Sequence, residues 1–296
     1  MRNELPPTID PIAAARWRQR APAKAPWLHE EVGRRMEDRL QWIRLQPAAW
    51  ADWDPVRGGI EAHRLLAARY PQAQCLVVEP QSAYAAAAAQ ALAAPWWKRL
   101  GAPRQRVVDA VPEGAVQMLW ANMALHLAAD PQSLIDAWRR ALSVDGFLMF
   151  SCLGPDTLRE LRRLYAALGW PAPGPDFTDM HDWGDMLVQG GFAEPVMDME
   201  RITLTWATPA QLLAELRELG ANLHPARFPA LRGRAWRRRL EDELASSLAG
   251  PDGRLALTFE VIYGHALKPA PRVRLGAESA FSLEDMKSLL HADRRG

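Results

Sequence analysis

Cysteine is nearly absent from the 296-residue chain, which carries only Cys75 and Cys152. That count excludes a disulfide framework and a cysteine-based zinc site. Both thiols sit in apolar runs, QCLVVE and MFSCLG, where buried structural cysteines are common. Lysine is almost as scarce: it occurs at Lys24, Lys98, Lys268 and Lys287, so the basic charge is nearly all arginine. Codon usage in a GC-rich genome explains that bias as well as phosphate recognition does. Charge of one sign is missing too, because 36 basic and 35 acidic residues leave a net +1. No global field then draws the chain to nucleic acid or to an anionic membrane. Long hydrophobic runs are also lacking. The Ala-rich stretch AYAAAAAQALAAPWW is broken by Gln90 and Pro95, and the opening MRNELPPTID has no apolar leader core. These absences lead us to expect a cytoplasmic globular protein without a metal site, a nucleic-acid partner or a membrane partner.

What is present is an ordinary globular composition, 49% hydrophobic and 24% charged, long enough for one large domain or two small ones. Residues 1–26 carry Pro6, Pro7, Pro11, Pro22 and Pro26 around AAARWRQR, which predicts an arm with at most one brief helix. From Trp27 the apolar stripe Leu28, Val32, Met36, Leu40, Ile43 predicts an amphipathic helix that Pro47 ends. Strand and helix signals then alternate: Trp50 to Trp53, a helix near Glu61 to Arg69, the strand CLVVE, and a helix from Ser82. The strands VQMLWAN and FLMFSCL follow, separated by a helix that Asp130 and Pro131 open. Such alternation predicts a mainly parallel sheet. After Gly154 the pattern predicts helices at Asp156 to Leu168 and near Trp183 to Gly190, an extended MERITLTW, and helices at Pro209 to Leu219 and about Arg234 to Leu248. The alternating run LALTFEVIYGHALK suits an antiparallel strand, and Ser282 caps a last short helix. The expected organisation is an arm over 1–26, an α/β domain over 27–268 with a helical insertion at about 207–250, and a tail over 269–296.

An acidic residue that closes a strand some 20 to 25 residues after a glycine-containing first loop can accept both hydroxyls of an adenosine ribose. Glu79, at the end of CLVVE, fits that role, and Gly58 and Gly59 supply a loop that a ligand can approach closely.

Longer strings sharpen this. LGPDTLREL, ANMALH, DMHDWGDMLVQGGFAEPVMDME and GPDGRLALTFEVIYGHA, preceded by WLHEEVGRRMEDRL and IRLQP, together resemble the malonyl-[acyl-carrier protein] O-methyltransferases of biotin synthesis. The likeness runs in order from about Trp27 to Lys268. It implies the class I methyltransferase (Rossmann-like) fold, S-adenosylmethionine (SAM) as cofactor, and an acyl-carrier protein thioester as partner. Under it Glu79 would hold the SAM ribose, Asn122 would lie under the methyl-donor pocket, and Asp109 would meet the adenine amino group. Arg159, Arg162 and Arg163 offer a basic surface to an acidic carrier. His126, Gly154, His181 and Asp182 fall in matched strings and are assigned no catalytic role.

The chain also departs from the family. Its first strand should end in Asp and then, after one residue, Gly-x-Gly-x-Gly, and here the stretch reads WADWDPVRGGIEAHRLL. Counting from LQP places Asp52 on the family's Asp, with Asp54 and Val56 on the first two glycines. Counting back from LLAARYP places Asp54 on the Asp, with Val56, Gly58 and Ile60 on the three glycines. In either register a Cβ occupies space needed by the methionine end of SAM, and Pro55 removes an N–H donor. Asp52 and Asp54 are therefore both candidate loop residues. RAPAKAPWLH stands where the family has an Ala-Ala-x-x-Tyr-Asp segment, and Gln117 stands where the family opens its fourth strand with Asp. Two functions follow: a SAM-dependent methyltransferase, or a catalytically degenerate paralogue that keeps the fold as a binding or assembly protein.

Overall fold

The computed structural model describes residues 9–93 and 104–271. Seven strands form one sheet in the order β3-β2-β1-β4-β5-β7-β6. They are β1 (Ala49–Trp53), β2 (Gln74–Val78), β3 (Gln105–Val108), β4 (Val116–Ala121), β5 (Leu142–Leu153), β6 (Ala193–Trp206) and β7 (Leu255–Leu267). The first five pair in parallel, and β7 runs antiparallel to both β5 and β6. This is the mainly parallel α/β sheet with one antiparallel strand that the sequence pattern predicts.

Ten helices accompany the strands among the described residues: α1 (Pro11–Arg20), α2 (Trp27–Arg39), the single turn α3 (Pro55–Gly58), α4 (Ile60–Arg69), α5 (Ser82–Ala91), α6 (Pro131–Ala141), α7 (Arg159–Ala167), α8 (Met180–Gln189), α9 (Pro209–Leu219) and α10 (Arg234–Leu248). Several begin where a side-chain acceptor meets a proline. Asp10 caps α1 before Pro11, Asp130 caps α6 before Pro131, and Thr208 caps α9 before Pro209. In each the cap oxygen accepts an N–H of the first turn, and proline stands where no intrahelical donor is required.

The period of two along the strands sends alternate residues to two cores. Trp50, Met118, Phe147 and Met149 face Leu28, Val32 and Leu66 of α2 and α4. Ala51, Leu119, Leu148 and Phe150 face Ile135, Trp138 and Leu187 of α6 and α8. Burial on both faces is why FLMFSCL shows no polar alternation.

Two elements depart from the sequence reading. β3 carries no clear signal, being a four-residue edge strand whose burial is partial. The helix expected from Asp156 begins only at Arg159, because residues 154–158 are fastened to β7. The Leu158 N–H donates to Thr258 O (2.7 Å), the Thr157 hydroxyl donates to Glu260 O (3.1 Å), and Leu158 turns the chain at φ 58°. The short C-terminal helix expected at Ser282 lies outside the described residues.

Candidate functional site

The carboxyl ends of β1, β2 and β4 converge on the loop between β1 and α4. Asp54 follows β1 with φ 54°, a left-handed conformation that costs a residue with a Cβ roughly 1–2 kcal/mol. Pro55 then opens the turn α3, and the N–H groups of Arg57 and Gly58 donate to Asp54 O at 3.1 and 2.7 Å. Gly58 backs onto β4, where a Cβ would stand 2.9 Å from the carbonyl oxygen of Asn122. A tight turn and a close helix–sheet approach are the tasks of the first and third glycines of a nucleotide-binding loop. Asp54 and Gly58 stand at those two places, so the backbone follows the register counted from LQP. Val56 takes the middle place, its side chain 2% exposed. Gly59 adopts φ 139° and caps α4 without a side chain, and Glu30 of α2 supplies the missing acceptor to the N–H groups of Glu61 (3.1 Å) and Ala62 (3.3 Å).

Three carboxyl groups gather here. The His63 Nδ1–H donates to Asp52 Oδ2 (2.7 Å) within the core, and neither residue reaches solvent. The Val56 N–H donates to Glu79 Oε1 (2.8 Å), while Glu79 Oε2 is buried without a partner. Burial, reinforced by the negative charge of Asp54, pushes the Glu79 carboxyl up to about 8. Burial likewise raises Asp54 to about 6.

Asn122 joins the strand ends to α2. Its Nδ2 donates to His29 O (2.7 Å) and to Gly58 O, and its Oδ1 accepts from the Ser151 hydroxyl (2.6 Å). The His29 Nδ1–H donates to Arg57 O (2.7 Å). Desolvation lowers His29 to about 4 and His126 to about 3, so both rings are neutral at pH 7.

α1 lies across this platform. The Tyr84 hydroxyl can donate to Arg18 O or Ala21 O, each 3.0 Å away, and Arg57 donates to Lys24 O and to Glu218 O, both at 2.7 Å. Arg227 pairs with Asp10 at 2.7 Å, and the Asp10 N–H donates to Leu223 O (2.8 Å). Beneath α1 a space of about 50 Å³ remains, bordered by Asp54, Gly58, Tyr84, Asn122, Trp17 and Leu223. Beyond Trp17 and Leu223 opens a larger chamber of about 540 Å³, walled by α7, α9, α10 and the strand ends.

The structure thus brings Asp52, Asp54, Gly58, Gly59, Glu79 and Asn122 together. Asp109 is exposed just past β3, one residue beyond Val108, whose O accepts the Glu79 N–H (2.9 Å), and it borders neither of the two spaces. The arginines of α7 also separate: Arg159 pairs with Asp156 and Glu160, Arg162 turns to the chamber wall, and Arg163 is exposed. Tyr84, Arg57 and His29 were not legible as site residues, because each acts through a backbone carbonyl and such bonds leave no spacing pattern in the sequence.

No protein-family model matches the chain. Individual relatives do. The malonyl-[acyl-carrier protein] O-methyltransferase of Gallionella capsiferriformans is 42% identical over 255 residues, 83% of this chain and 86% of that protein. The enzyme of the same name from Laribacter hongkongensis is 40% identical over 260 residues, covering 85% and 86%. Among solved structures, a methyltransferase-like protein of Bacillus halodurans aligns with a TM-score of 0.53 at 13% identity, over 81% of this chain and 100% of that one. The YcgJ protein of Bacillus subtilis aligns at 0.51 and 11%, over 81% and 99%. Identity across most of both chains shows that the chain belongs to the malonyl-[acyl-carrier protein] O-methyltransferase family.

Proposed function

We propose that this protein is a SAM-dependent O-methyltransferase acting on a carboxyl group borne by an acyl-carrier protein thioester, in the cytoplasm and within biotin synthesis. The observation that carries the reading is the chamber of about 540 Å³ that opens beside the carboxyl ends of the strands, where open α/β sheets bind their ligands. Bound at the loop beneath α1, SAM would supply an activated methyl group, and no covalent nucleophile is required of the protein. The chain's own task is to align the acceptor and exclude water. In this reading Glu79 faces the ribose, Asn122 underlies the donor, Asp109 meets the adenine, and Gly58 and Gly59 carry the loop past it.

The residues fit such a donor in kind but not, as packed, in space. The unpartnered Glu79 Oε2 is an acceptor of the sort a ribose hydroxyl needs. Against that, about 50 Å³ lies beneath α1, while small-molecule sites measure roughly 300–1,000 Å³. The Val56 N–H already occupies Glu79 Oε1, and the side chains of Asp54 and Val56 stand on glycine positions. As packed, the space beneath α1 is smaller than SAM requires.

The filled loop favours a second reading, a paralogue that keeps the fold and has lost methyl transfer. Calorimetric titration with SAM and with its demethylated product separates the two. Micromolar binding, with methylation of a malonyl-carrier thioester, supports the enzyme. Absence of heat and of any thermal shift supports the paralogue.

A further inference from the structure

Residues 225–240 read PARFPALRGRAWRRRL, with six arginines and no acidic residue. Three of the six are paired: Arg227 with Asp10 (2.7 Å), Arg237 with Glu241 (2.8 Å) and Arg239 with Glu243 (3.8 Å). Arg232, Arg234 and Arg238 have no carboxylate partner among the described residues. Trp236 and Leu240, one turn apart on α10, line the chamber. Arg234 and Arg238 lie about half a turn away from them on the same helix and are exposed on its outward side. Just before the helix, the Arg232 guanidinium carbon stands 4.1 Å from the Trp236 ring centre and 4.2 Å from that of Phe228, which holds a cation at the chamber's edge. Leu231 beside it is fully exposed, and Phe228 is exposed as well.

Holding three such cations together costs self-repulsion that no ion pair among the described residues offsets. An occupant with negative charge and some apolar surface would offset it. The net charge of +1 leaves the whole chain without the broad positive field on which nucleic-acid binding rests, so the positive surface is local. It also adjoins the chamber that, in the preceding reading, receives the acyl group on its thioester arm. A carrier protein is small and acidic, and its body must rest beside that chamber while the arm enters. We propose that the acyl-carrier protein docks on the loop before α10 and the first turns of that helix, with Arg232, Arg234 and Arg238 meeting its carboxylates and Leu231 its apolar surface. A helix with its side chains is about 10–12 Å across, and a standard interface covers about 800 Å² on each partner, so one footprint spans both the chamber's edge and the outward arginines. Two of the α7 arginines are less suited to the task, since Arg159 pairs with Asp156 and Glu160, and Arg162 with Asp176.

The proposal rests on the preceding reading for the identity of the partner, and its test separates the two. The full-length protein is titrated calorimetrically with a bacterial acyl-carrier protein loaded with malonate, at low and at high salt. Wild type should bind, and more weakly as salt rises. Arg234→Glu together with Arg238→Glu should lower the affinity about tenfold or more, since each change replaces an attraction by a repulsion. Leu231→Asp, which alters no arginine, should weaken binding in the same direction, and melting temperatures confirm that both variants are folded. Arg140→Glu is the control, an exposed position on α6, which packs on the other face of the sheet from α10, and it should bind as wild type does. Malonyl-pantetheine, which has the arm but no carrier surface, should bind the double variant as it binds wild type. Carrier binding that survives the double substitution, an equal loss from Arg140→Glu, or an oligothymidylate bound more tightly than the carrier overturns the proposal. Methyl transfer from SAM to malonyl-pantetheine is followed alongside. Carrier binding that needs the α10 arginines, without any methyl transfer, sinks only the methyltransferase reading; methyl transfer by a wild type that binds no carrier sinks only this one.

Discussion

Replacing Glu79 with Gln should abolish most of the protein's loss of stability at alkaline pH. Glu79 is 2% exposed, holds the Val56 N–H with Oε1, and leaves Oε2 unpartnered. Its carboxyl is pushed from an ordinary value of 4.5 up to about 8, by burial first and by Asp54 second. Between those values the folded chain keeps a proton that the unfolded chain has released. The folded state then binds more protons, and stability falls as pH rises: the contribution is complete below about 4.5 and lost above about 8. A rise from 4.5 to about 8, at roughly 1.4 kcal/mol per pH unit, is on the order of 5 kcal/mol. For a chain of this size that corresponds to a melting shift on the order of 10 °C. Gln keeps an oxygen for the Val56 N–H and carries no charge. Scanning calorimetry should therefore find variant and wild type alike at pH 5, with the variant melting on the order of 10 °C higher at pH 8.5. Asp54, raised to about 6, slopes the same way in both proteins, and loss of the Glu79 charge eases it further. Parallel curves for the two proteins from pH 5 to 8.5 would refute this account of Glu79.

Three further outcomes are expected. Asn122→Ala removes bonds to His29 O, Gly58 O and Ser151 and should cost about 2–4 kcal/mol in urea unfolding, since buried groups lose their partners; a loss under 0.5 kcal/mol would show those bonds to be dispensable. Asp54→Gly with Val56→Gly should raise SAM affinity at least tenfold by calorimetry, and the first change should be neutral or stabilising because it relieves a left-handed residue. Tyr84→Phe deletes the hydroxyl contacts to Arg18 O and Ala21 O, so hydrogen exchange across α1 should speed up while the sheet is unaffected.

The sheet was legible in the sequence because hydrophobic runs bounded by Pro, Gly and Asp mark strands directly. CLVVE and VQMLWAN fall on β2 and β4. β3 was not, since an edge strand of four partly buried residues has no pattern to distinguish it from loop. At the site the composition of the loop was plain but its register was not. Two counts were equally good until the positive φ of Asp54 and the approach of Gly58 to Asn122 placed them on first and third glycine positions. The cover was invisible for another reason. α1 and its flanks are held by Tyr84, Arg57 and Arg227 across separations of 33 (Arg57 to Lys24) to 217 residues (Arg227 to Asp10), and a residue-level reading of a proline-rich arm sees only an arm.

That cover links the two spaces. Trp17 and Leu223 border both the small pocket at the strand ends and the apolar chamber beyond it. Trp17 belongs to α1, and Leu223 follows α9, whose Glu218 O accepts from Arg57 on the loop itself. Donor loop, N-terminal helix and cap are thus joined by a few bonds to backbone carbonyls, each worth about 1 kcal/mol net or up to about 3 where a guanidinium donates. Bonds of that size are compatible with opening as a unit, because a handful can be exchanged for water without touching the core beneath. A movement that carries Trp17 off the strand ends would enlarge both spaces at once. The side chains of Asp54 and Val56 would remain on their glycine positions after it, so the cover and the loop would be separable barriers to the donor, the second removable only by substitution.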